Sequence, residues 1–366
     1  MKGSFRLGTI RGIGVFVHWT FSLLIAFIIY INYRTGYNAL QTAWSVLFIL
    51  CVFVTVFLHE LGHSFAAKLF NIETKDITLL PIGGVSRLES LPEKPKEELI
   101  VTFAGPLVNI VLAIITGLFI TFPATSAALA QELSTGVNAN NFFLNFFIVN
   151  IILAVFNLIP AFPMDGGRIL RALLSFKFER HVATKIAARI GQFLAMGFIL
   201  LGFLYNPFLI FIGLFVIMGA QAESKHADSK YSLKGHKVRD VLMKQYITID
   251  AGEPIKTAIA LLLDSQSKNF LIMENNEPVG TLNRDQIIKS LSEKGEDAVI
   301  HSAMNKNLIY LDVETLLENI FELVYKNKTN LLLVTENNEL VGTLDTENLL
   351  EFLLIKGVKS KTAYAY

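Results

Sequence analysis

Six apolar segments of 17 to 28 residues place the strongest constraint on how this chain of 366 residues can fold. A helix of about 20 residues crosses the hydrocarbon core of a bilayer, where every backbone N–H and C=O must be bonded within the spanning structure. The segments therefore predict transmembrane helices. Their approximate limits are residues 14–33, 42–69, 98–122, 141–161, 187–205 and 207–223.

Composition supports a membrane protein and excludes some other classes. Hydrophobic residues make up 52% of the chain and charged residues 17%, which departs from a soluble average. The net charge of +1 argues against a nucleic-acid partner, because phosphate binding usually leaves a strongly basic domain. With Cys51 as the single cysteine, the chain cannot form an intramolecular disulfide.

The distribution of lysine and arginine predicts which side of the membrane each loop faces. Positive charges precede the first and third segments and separate the fourth from the fifth, whereas the opposite loops carry Arg34 alone. By the positive-inside rule, both termini are cytoplasmic. The residues counted are Lys2, Arg6, Arg11, Lys94, Lys96, Arg168, Arg171, Lys177, Arg180, Lys185 and Arg189.

The second segment carries the pentapeptide His59-Glu60-Leu61-Gly62-His63. Residues i and i+4 share a helix face, so both imidazoles can reach one metal ion while Glu60 stands beside them. A catalytic zinc ion keeps one position for water, and a carboxylate can accept the proton as that water attacks. The pattern predicts a zinc hydrolase site at membrane depth, with His59 and His63 as ligands and Glu60 as general base.

Zinc needs a third ligand, and the predicted topology places the start of the fourth-to-fifth connection at the level of the two histidines. This connection contains Asp165, the only acidic residue between Glu132 and Glu179. Two prolines break the helix before it, and irregular backbone at this depth is tolerated only around a cavity. Asp165 is the predicted third ligand; the alternative is an Asp-Gly-Gly turn at a helix end.

Residues 72–89 alternate apolar and polar side chains in part and contain the pair Gly83-Gly84. This pattern predicts a strand hairpin beside the site. A helical substrate hides its peptide bonds in i to i−4 hydrogen bonds, so it must unwind and can then add a strand at this edge. Gly83 and Gly84 are candidate substrate-binding residues; an ordinary structural hairpin is the alternative.

The composition changes after Gln221, where a polar stretch precedes a region typical of a soluble domain. Residues 279–282 (VGTL) recur as residues 341–344 at an offset of about 62 residues. Each copy is expected to hold an entry strand, a helix, a strand pair around an Asn-Asn turn and a second helix. The predicted domains are residues 1–224, a linker at 225–237, and residues 238–366 with copies at about 238–299 and 300–357.

The membrane motifs together resemble those of the site-2 protease family of intramembrane zinc metalloproteases. HELGH is followed about a hundred residues later by Asn-x-x-Pro-x-x-Pro-Met-Asp-Gly-Gly-Arg. The resemblance implies one zinc ion per chain, held by the two histidines and the aspartate, with a glutamate that activates water and an asparagine that stabilises the oxyanion. In this sequence these residues are His59, His63, Asp165, Glu60 and Asn157.

The resemblance covers about residues 1–224 and includes residues 104–109 (AGPLVN) in the third segment. Within those residues, Asn109 is expected to make an interhelical hydrogen bond rather than to take part in chemistry. Six spans followed by a cytoplasmic domain are similar to the sporulation-factor-processing branch of the family.

The C-terminal repeat resembles tandem cystathionine-β-synthase (CBS) domains, which commonly bind adenosine nucleotides between the copies. That family places Thr or Ser three residues after the repeated glycine and Asp six residues after it. The corresponding residues are Asn283 and Gln286 in the first copy, and Asp345 and Asn348 in the second. An adenosine nucleotide is therefore one expectation, and a degenerate module that dimerises or docks substrate is the other.

These features predict a polytopic α-helical membrane protein with about six transmembrane helices and a small β-hairpin insertion, followed by an α+β tandem CBS-domain pair. The expected activity is zinc-dependent hydrolysis of peptide bonds within or near the transmembrane segment of a membrane-anchored protein, regulated through the CBS pair. The expected location is the cell membrane of a prokaryote. The expected partners are that substrate, the lipid bilayer and a second copy of the chain bound through its CBS domains.

A CBS-gated transporter or channel is the alternative from a different functional class. It accounts for six spans and a cytoplasmic CBS pair, but leaves His59, Glu60, His63 and Asp165 without a role. The membrane region also lacks the internal repeat that many transporters show. An inactive scaffold of protease ancestry would have lost a ligand or the base, and all four residues are present.

Overall fold

The computed structural model describes residues 3–81, 83–89, 92–265, 267–320 and 331–363, the last seven of these by their backbone alone. The chain divides into two compact units, Met1–Ala227 and Asp228–Tyr366.

Helices dominate the first unit, and six of them coincide with the six predicted segments. The eight helices described there are α1 Thr20–Arg34, α2 Ala39–Lys68, α3 Pro95–Gly117, α4 Ser126–Ser134, α5 Phe142–Leu158, α6 Asp165–Leu174, α7 Arg180–Leu204 and α8 Phe208–Ser232. Helix α8 continues to Ser232, so the first part of the predicted linker is helical.

Four of the described helices, α2, α3, α7 and α8, are long and apolar enough to cross a bilayer. Helices α1 and α5 are also apolar but contain 15 and 17 residues. Both are shorter than the length of about 20 residues that a perpendicular span requires. Helix length therefore establishes four candidate spans, and the predicted count of six is not confirmed.

The prediction that the first segment is helical from residue 14 was wrong. Strand β1 (Ser4–Ile10) and strand β2 (Ile13–His18) form an antiparallel pair, and α1 begins only at Thr20. Ile13 and Val15 of β2 are buried, and an apolar run of this length is compatible with either a buried strand or a helix. The periodicity of the sequence could not separate the two.

The predicted hairpin at residues 72–89 is present as β3 (Thr74–Leu80) and β4 (Gly83–Leu88). It belongs to a four-stranded sheet of order β1-β2-β3-β4, in which β2 and β3 are parallel. Asp76 of β3 accepts a hydrogen bond from Nε of Arg87 in β4 at 2.8 Å, and this bond raises the pKa of the Arg87 guanidinium. The insertion predicted as a hairpin is thus half of a larger sheet.

Small residues bring the later helices of this unit together, while large apolar side chains point outward. Ala183, Ala187 and Ala195 of α7 are fully buried, whereas Phe193 and Phe203 of the same helix are 72% and 75% exposed. Small buried residues allow helix backbones to approach in a bilayer, and exposed phenylalanines are favourable where lipid covers them. Helix α7 therefore has one side suited to contact with neighbouring helices and another side suited to contact with lipid.

The second unit contains the predicted repeat. The elements described are β5 Thr248–Asp250, α9 Ile255–Asp264, β6 Asn269–Glu274, β7 Glu277–Asn283, α10 Arg284–Lys294, β8 Tyr310–Asp312, β9 Leu331–Glu336, β10 Glu339–Asp345 and α11 Thr346–Ala363. The strands form two three-stranded sheets of order β5-β6-β7 and β10-β9-β8. The Asn-Asn turns at residues 275–276 and 337–338 have positive φ at both positions, as tight hairpins require.

Candidate active site

Helix α2 presents His59, Glu60 and His63 near its C-terminal end. The two histidines lie one helical turn apart on the buried face, and each is 8% exposed. Their Nε2 atoms are 3.1 Å apart. The i, i+4 spacing thus places both imidazoles on one helix face, as binding of a shared metal ion requires.

Asp165 is the first residue of α6, and its carboxylate lies against the two histidines. Its Oδ2 atom is 3.2 Å from Nε2 of His59 and 3.1 Å from Nε2 of His63, and its side chain is 12% exposed. Gly166 lets the start of α6 lie against the end of α5, because a Cβ at that position would overlap the main-chain oxygens of Leu158 and Ile159. The Asp-Gly-Gly sequence therefore begins a helix at the site.

The three atoms form a nearly equilateral triangle that fits a zinc ion. Tetrahedral coordination with bonds of about 2.0 Å places neighbouring ligand atoms about 3.3 Å apart, and the edges of the triangle measure 3.1, 3.1 and 3.2 Å. Oδ2 of Asp165 is buried without a hydrogen-bond partner. A buried carboxylate oxygen in that state needs a cation, and the donor set of two imidazoles and one carboxylate is one that zinc prefers.

The remaining nitrogen of each imidazole is hydrogen-bonded to a neighbouring helix. Nδ1 of His63 donates to the main-chain oxygen of Val101 at 2.8 Å, and Nδ1 of His59 donates to Oδ1 of Asn109 at 2.6 Å. Both acceptors lie on α3. Metal-binding histidines typically make such a second bond, which orients the ring and leaves Nε2 free for the metal.

Gly105 of α3 faces the same atoms, and sequence reasoning missed its importance. A Cβ at this position would overlap Nε2 of His63 and lie 2.7 Å from Nε2 of His59. No side chain therefore fits at residue 105 while both imidazoles keep their positions. The sequence signal was a glycine within an apolar helix next to Pro106, a pattern that often has a packing or functional reason.

Glu60 lies beside the triangle and against strand β4. A Cβ at Gly84 would lie 2.7 Å from Cγ of Glu60, so the backbone of β4 approaches this side chain directly. Gly83, the other predicted glycine, has φ +140° and opens β4. The structure thus brings Glu60, Gly84, the histidines and the aspartate together.

Asn157 makes a hydrogen bond within its own helix, α5. Its Nδ2 donates to the main-chain oxygen of Leu153, one turn earlier in α5, at 2.9 Å. To stabilise an oxyanion the amide would have to exchange this bond for one to the substrate. The oxyanion role of Asn157 stays a prediction.

A buried ionic cluster fixes α6, which carries Asp165. Nε and Nη2 of Arg171 on α6 donate to Oε1 of Glu98 on α3 at 2.9 and 2.6 Å, and Nη1 donates to Oε2 of Glu223 on α8 at 3.0 Å. Arg180 of α7 lies 3.3 Å from the same Glu98 oxygen. Loss of one partner from a buried ion pair typically costs about 3–5 kcal/mol because the other charge is left uncompensated, so this arrangement of four helices requires the cluster to be complete.

A metal-binding triangle with an adjacent glutamate, set among apolar helices of bilayer length, defines a membrane-embedded metallohydrolase. The model of peptidase family M50 matches residues 47–198, and that of the CBS domain matches residues 238–293 and 299–355. A zinc metalloprotease of Methanocaldococcus jannaschii is 33% identical over 362 residues, and the similarity covers 99% of both chains. The chain belongs to peptidase family M50, the site-2 protease family, and is a zinc metalloendopeptidase with tandem CBS domains.

Two further similarities are narrower. Stage IV sporulation protein FB of Bacillus subtilis is 35% identical over 128 residues, which is 35% of this chain and 40% of that protein. The solved structure of a site-2 protease from Methanocaldococcus jannaschii is 40% identical and covers 60% of this chain and 95% of that chain, with a TM-score of 0.43.

Proposed function

We propose that this protein hydrolyses peptide bonds within or near the transmembrane segment of a membrane-anchored protein. The observation that carries the proposal is the convergence of His59, His63 and Asp165 between helices whose other sides are apolar. Buried ionisable groups at membrane depth are costly, so their convergence there favours a functional site. The same three residues would hold one zinc ion per chain.

The proposed mechanism divides the chemistry between the metal and Glu60. A bound zinc ion supplies Lewis-acid chemistry, which lowers the pKa of water and polarises a carbonyl. Glu60 accepts the proton of the attacking water and then delivers it to the leaving amine. Asn157, once released from Leu153, donates its amide to the oxygen on which negative charge develops.

Strand β4 is the proposed docking edge for the substrate. It lies at the end of the strand order, next to Glu60, so an unwound substrate segment can pair with it as an additional strand. Gly83 and Gly84 lie at the start of this edge. A Cβ at Gly83 would meet no atom within 4 Å, which leaves open space there, whereas the missing side chain of Gly84 lets β4 lie against Glu60. This arrangement would hold an extended peptide beside the general base.

The proposed topology keeps six spans, with α1 and α5 as short members, and both termini in the cytoplasm of a prokaryote. The lysines and arginines on the cytoplasmic side support this orientation. The proposed division is a protease domain at residues 1–224, a linker and a CBS pair from residue 238.

We propose a regulatory role for the CBS pair, through an adenosine nucleotide or through association with a second copy. Asp345, the residue suited to a ribose, is 9% exposed and already accepts bonds from Asn269 and the main chain of Asn348. These bonds favour a structural role for Asp345, so a nucleotide would have to use other groups. The CBS-gated transporter or channel is not favoured, because it leaves the metal triangle unexplained.

Removal of the metal tests the proposed function. Purified protein in proteoliposomes is expected to cleave a single-span reporter protein, to lose at least 90% of this activity after chelation, and to regain it with zinc. The expected loss of activity is this large because a Lewis acid contributes several kcal/mol to catalysis. Cleavage that persists after complete zinc removal would contradict the proposal, as would chelator-insensitive solute flux without cleavage.

A further inference from the structure

Two buried asparagines connect His59 to the backbone of a third helix. Nδ2 of Asn109 on α3 lies 3.4 Å from Oδ1 of Asn150 on α5, and Nδ2 of Asn150 donates to the main-chain oxygen of Phe146 at 2.8 Å. Asn109 and Asn150 are 1% and 0% exposed. The predicted interhelical hydrogen bond of Asn109 is confirmed, but the bond is one part of a longer chain.

The direction of every bond in this chain is determined from its far end. The main-chain oxygen of Phe146 can only accept, so the amide nitrogen of Asn150 must face it and the carbonyl oxygen of Asn150 must face Asn109. That oxygen also only accepts, so Asn109 turns its own oxygen toward His59. Nδ1 of His59 must then carry a proton, and in the neutral imidazole Nε2 keeps its lone pair.

We propose that Asn109 and Asn150 form a relay that selects the tautomer of His59 able to bind the metal. Neither residue touches the metal position, so both act as positioning residues. The inference rests on the proposed zinc site and adds the means by which one ligand is prepared for it. It predicts that metal affinity depends on a residue, Asn150, that touches neither imidazole.

The other ligand shows why a relay is needed. His63 donates directly to the main-chain oxygen of Val101, which fixes its tautomer without any side chain. His59 faces a side-chain amide instead, and an amide can present either its oxygen or its nitrogen. Without Asn150, Asn109 could rotate and donate to Nδ1 of His59, which would move the proton to Nε2 and oppose metal binding.

Substitution of Asn150 by leucine removes the far end of the relay and keeps the number and branching of the side-chain heavy atoms. Asn150→Leu is expected to weaken zinc binding about 10- to 100-fold, the range typical for loss of a residue that hydrogen-bonds a metal ligand. The affinity is measured by competition with a chelator. In ¹⁵N spectra of zinc-free, histidine-labelled protein, the His59 signal is expected to shift from Nδ1-protonated toward Nε2-protonated. His59→Ala assigns that signal by its loss.

A second substitution separates tautomer selection from packing. After Asn109→Asp, the carboxylate can only accept a hydrogen bond from His59, whichever way it is rotated. The double variant Asn109→Asp, Asn150→Leu therefore keeps an acceptor for Nδ1, and its zinc affinity is expected to lie within roughly threefold of the wild type. A packing defect would not be repaired by a buried carboxylate. If Asn150→Leu does not fold, Asn150→Ala removes the same carbonyl oxygen and is expected to weaken zinc binding by about the same factor.

Specific results overturn the relay. Zinc affinity unchanged within twofold in Asn150→Leu, or no recovery in the double variant, would contradict it. A wild-type protein that binds no zinc, or a His59→Ala variant that binds zinc normally, would instead overturn the proposed function and the relay with it.

Discussion

Substitution of Gly105 by alanine is expected to abolish zinc binding while the helices stay folded. The added methyl group would overlap Nε2 of His63 and lie 2.7 Å from Nε2 of His59, so it would occupy space that the imidazoles and the metal require. Alanine is the best helix former, so the substitution does not weaken α3 through its propensity. We expect the zinc content of the purified protein to fall at least tenfold, with cleavage lost in parallel.

Gly197→Ala is the matched control for this substitution. Gly197 lies within α7, and a Cβ there meets no atom within 4 Å. We expect normal zinc content and cleavage in this variant. Full zinc content in Gly105→Ala, measured by elemental analysis in the same detergent, would show that the imidazoles lie elsewhere in the working enzyme.

Substitution of Glu60 by glutamine is expected to stop cleavage and leave zinc content unchanged. Glutamine retains the size of glutamate and its packing against Gly84, but it cannot accept the proton of the attacking water. General-base catalysis contributes roughly 10²- to 10⁴-fold, so cleavage of the single-span reporter should fall by about that factor.

Glu97→Gln provides the corresponding control. Glu97 pairs with Lys94 at the exposed start of α3, and exposed pairs contribute little to stability. This variant should cleave at the wild-type rate. If Glu60→Gln also cleaved at that rate, Glu60 would have no part in proton transfer.

Much of the candidate site was predictable because its residues are set by local spacing. His59 and His63 share a face through the helical period, and Glu60 follows from the same pentapeptide. Asp165 was identified by its isolation as the single acid in a long stretch, after a helix broken by two prolines. The structure brings these four residues together.

Other parts of the site depend on contacts between distant segments. Gly105, Asn109 and Asn150 each lie within an apolar run whose pattern predicts a helix but not its partner. Their roles follow from the packing of α3 against α2 and α5, which no local spacing specifies. The close approach of Gly84 to Glu60 is of the same kind.

In the fold, too, local features were predictable from the sequence and contacts between distant segments were not. The Asn-Asn turns and the repeat in the second unit were predictable, because both have a direct sequence signature. Strand β2 was mistaken for part of a helix, because a buried strand and a buried helix present similar apolar runs. The parallel pairing of β2 with β3 joins segments separated by α1 and α2, so local sequence could not reveal it.

Zinc K-edge absorption spectroscopy of the purified wild-type protein tests the zinc site most directly. We predict a shell of nitrogen and oxygen at about 2.0–2.1 Å, containing two imidazole rings from His59 and His63 and oxygen from Asp165. A sulfur scatterer, which Cys51 would have to supply, or a shell with fewer than two imidazoles would contradict it.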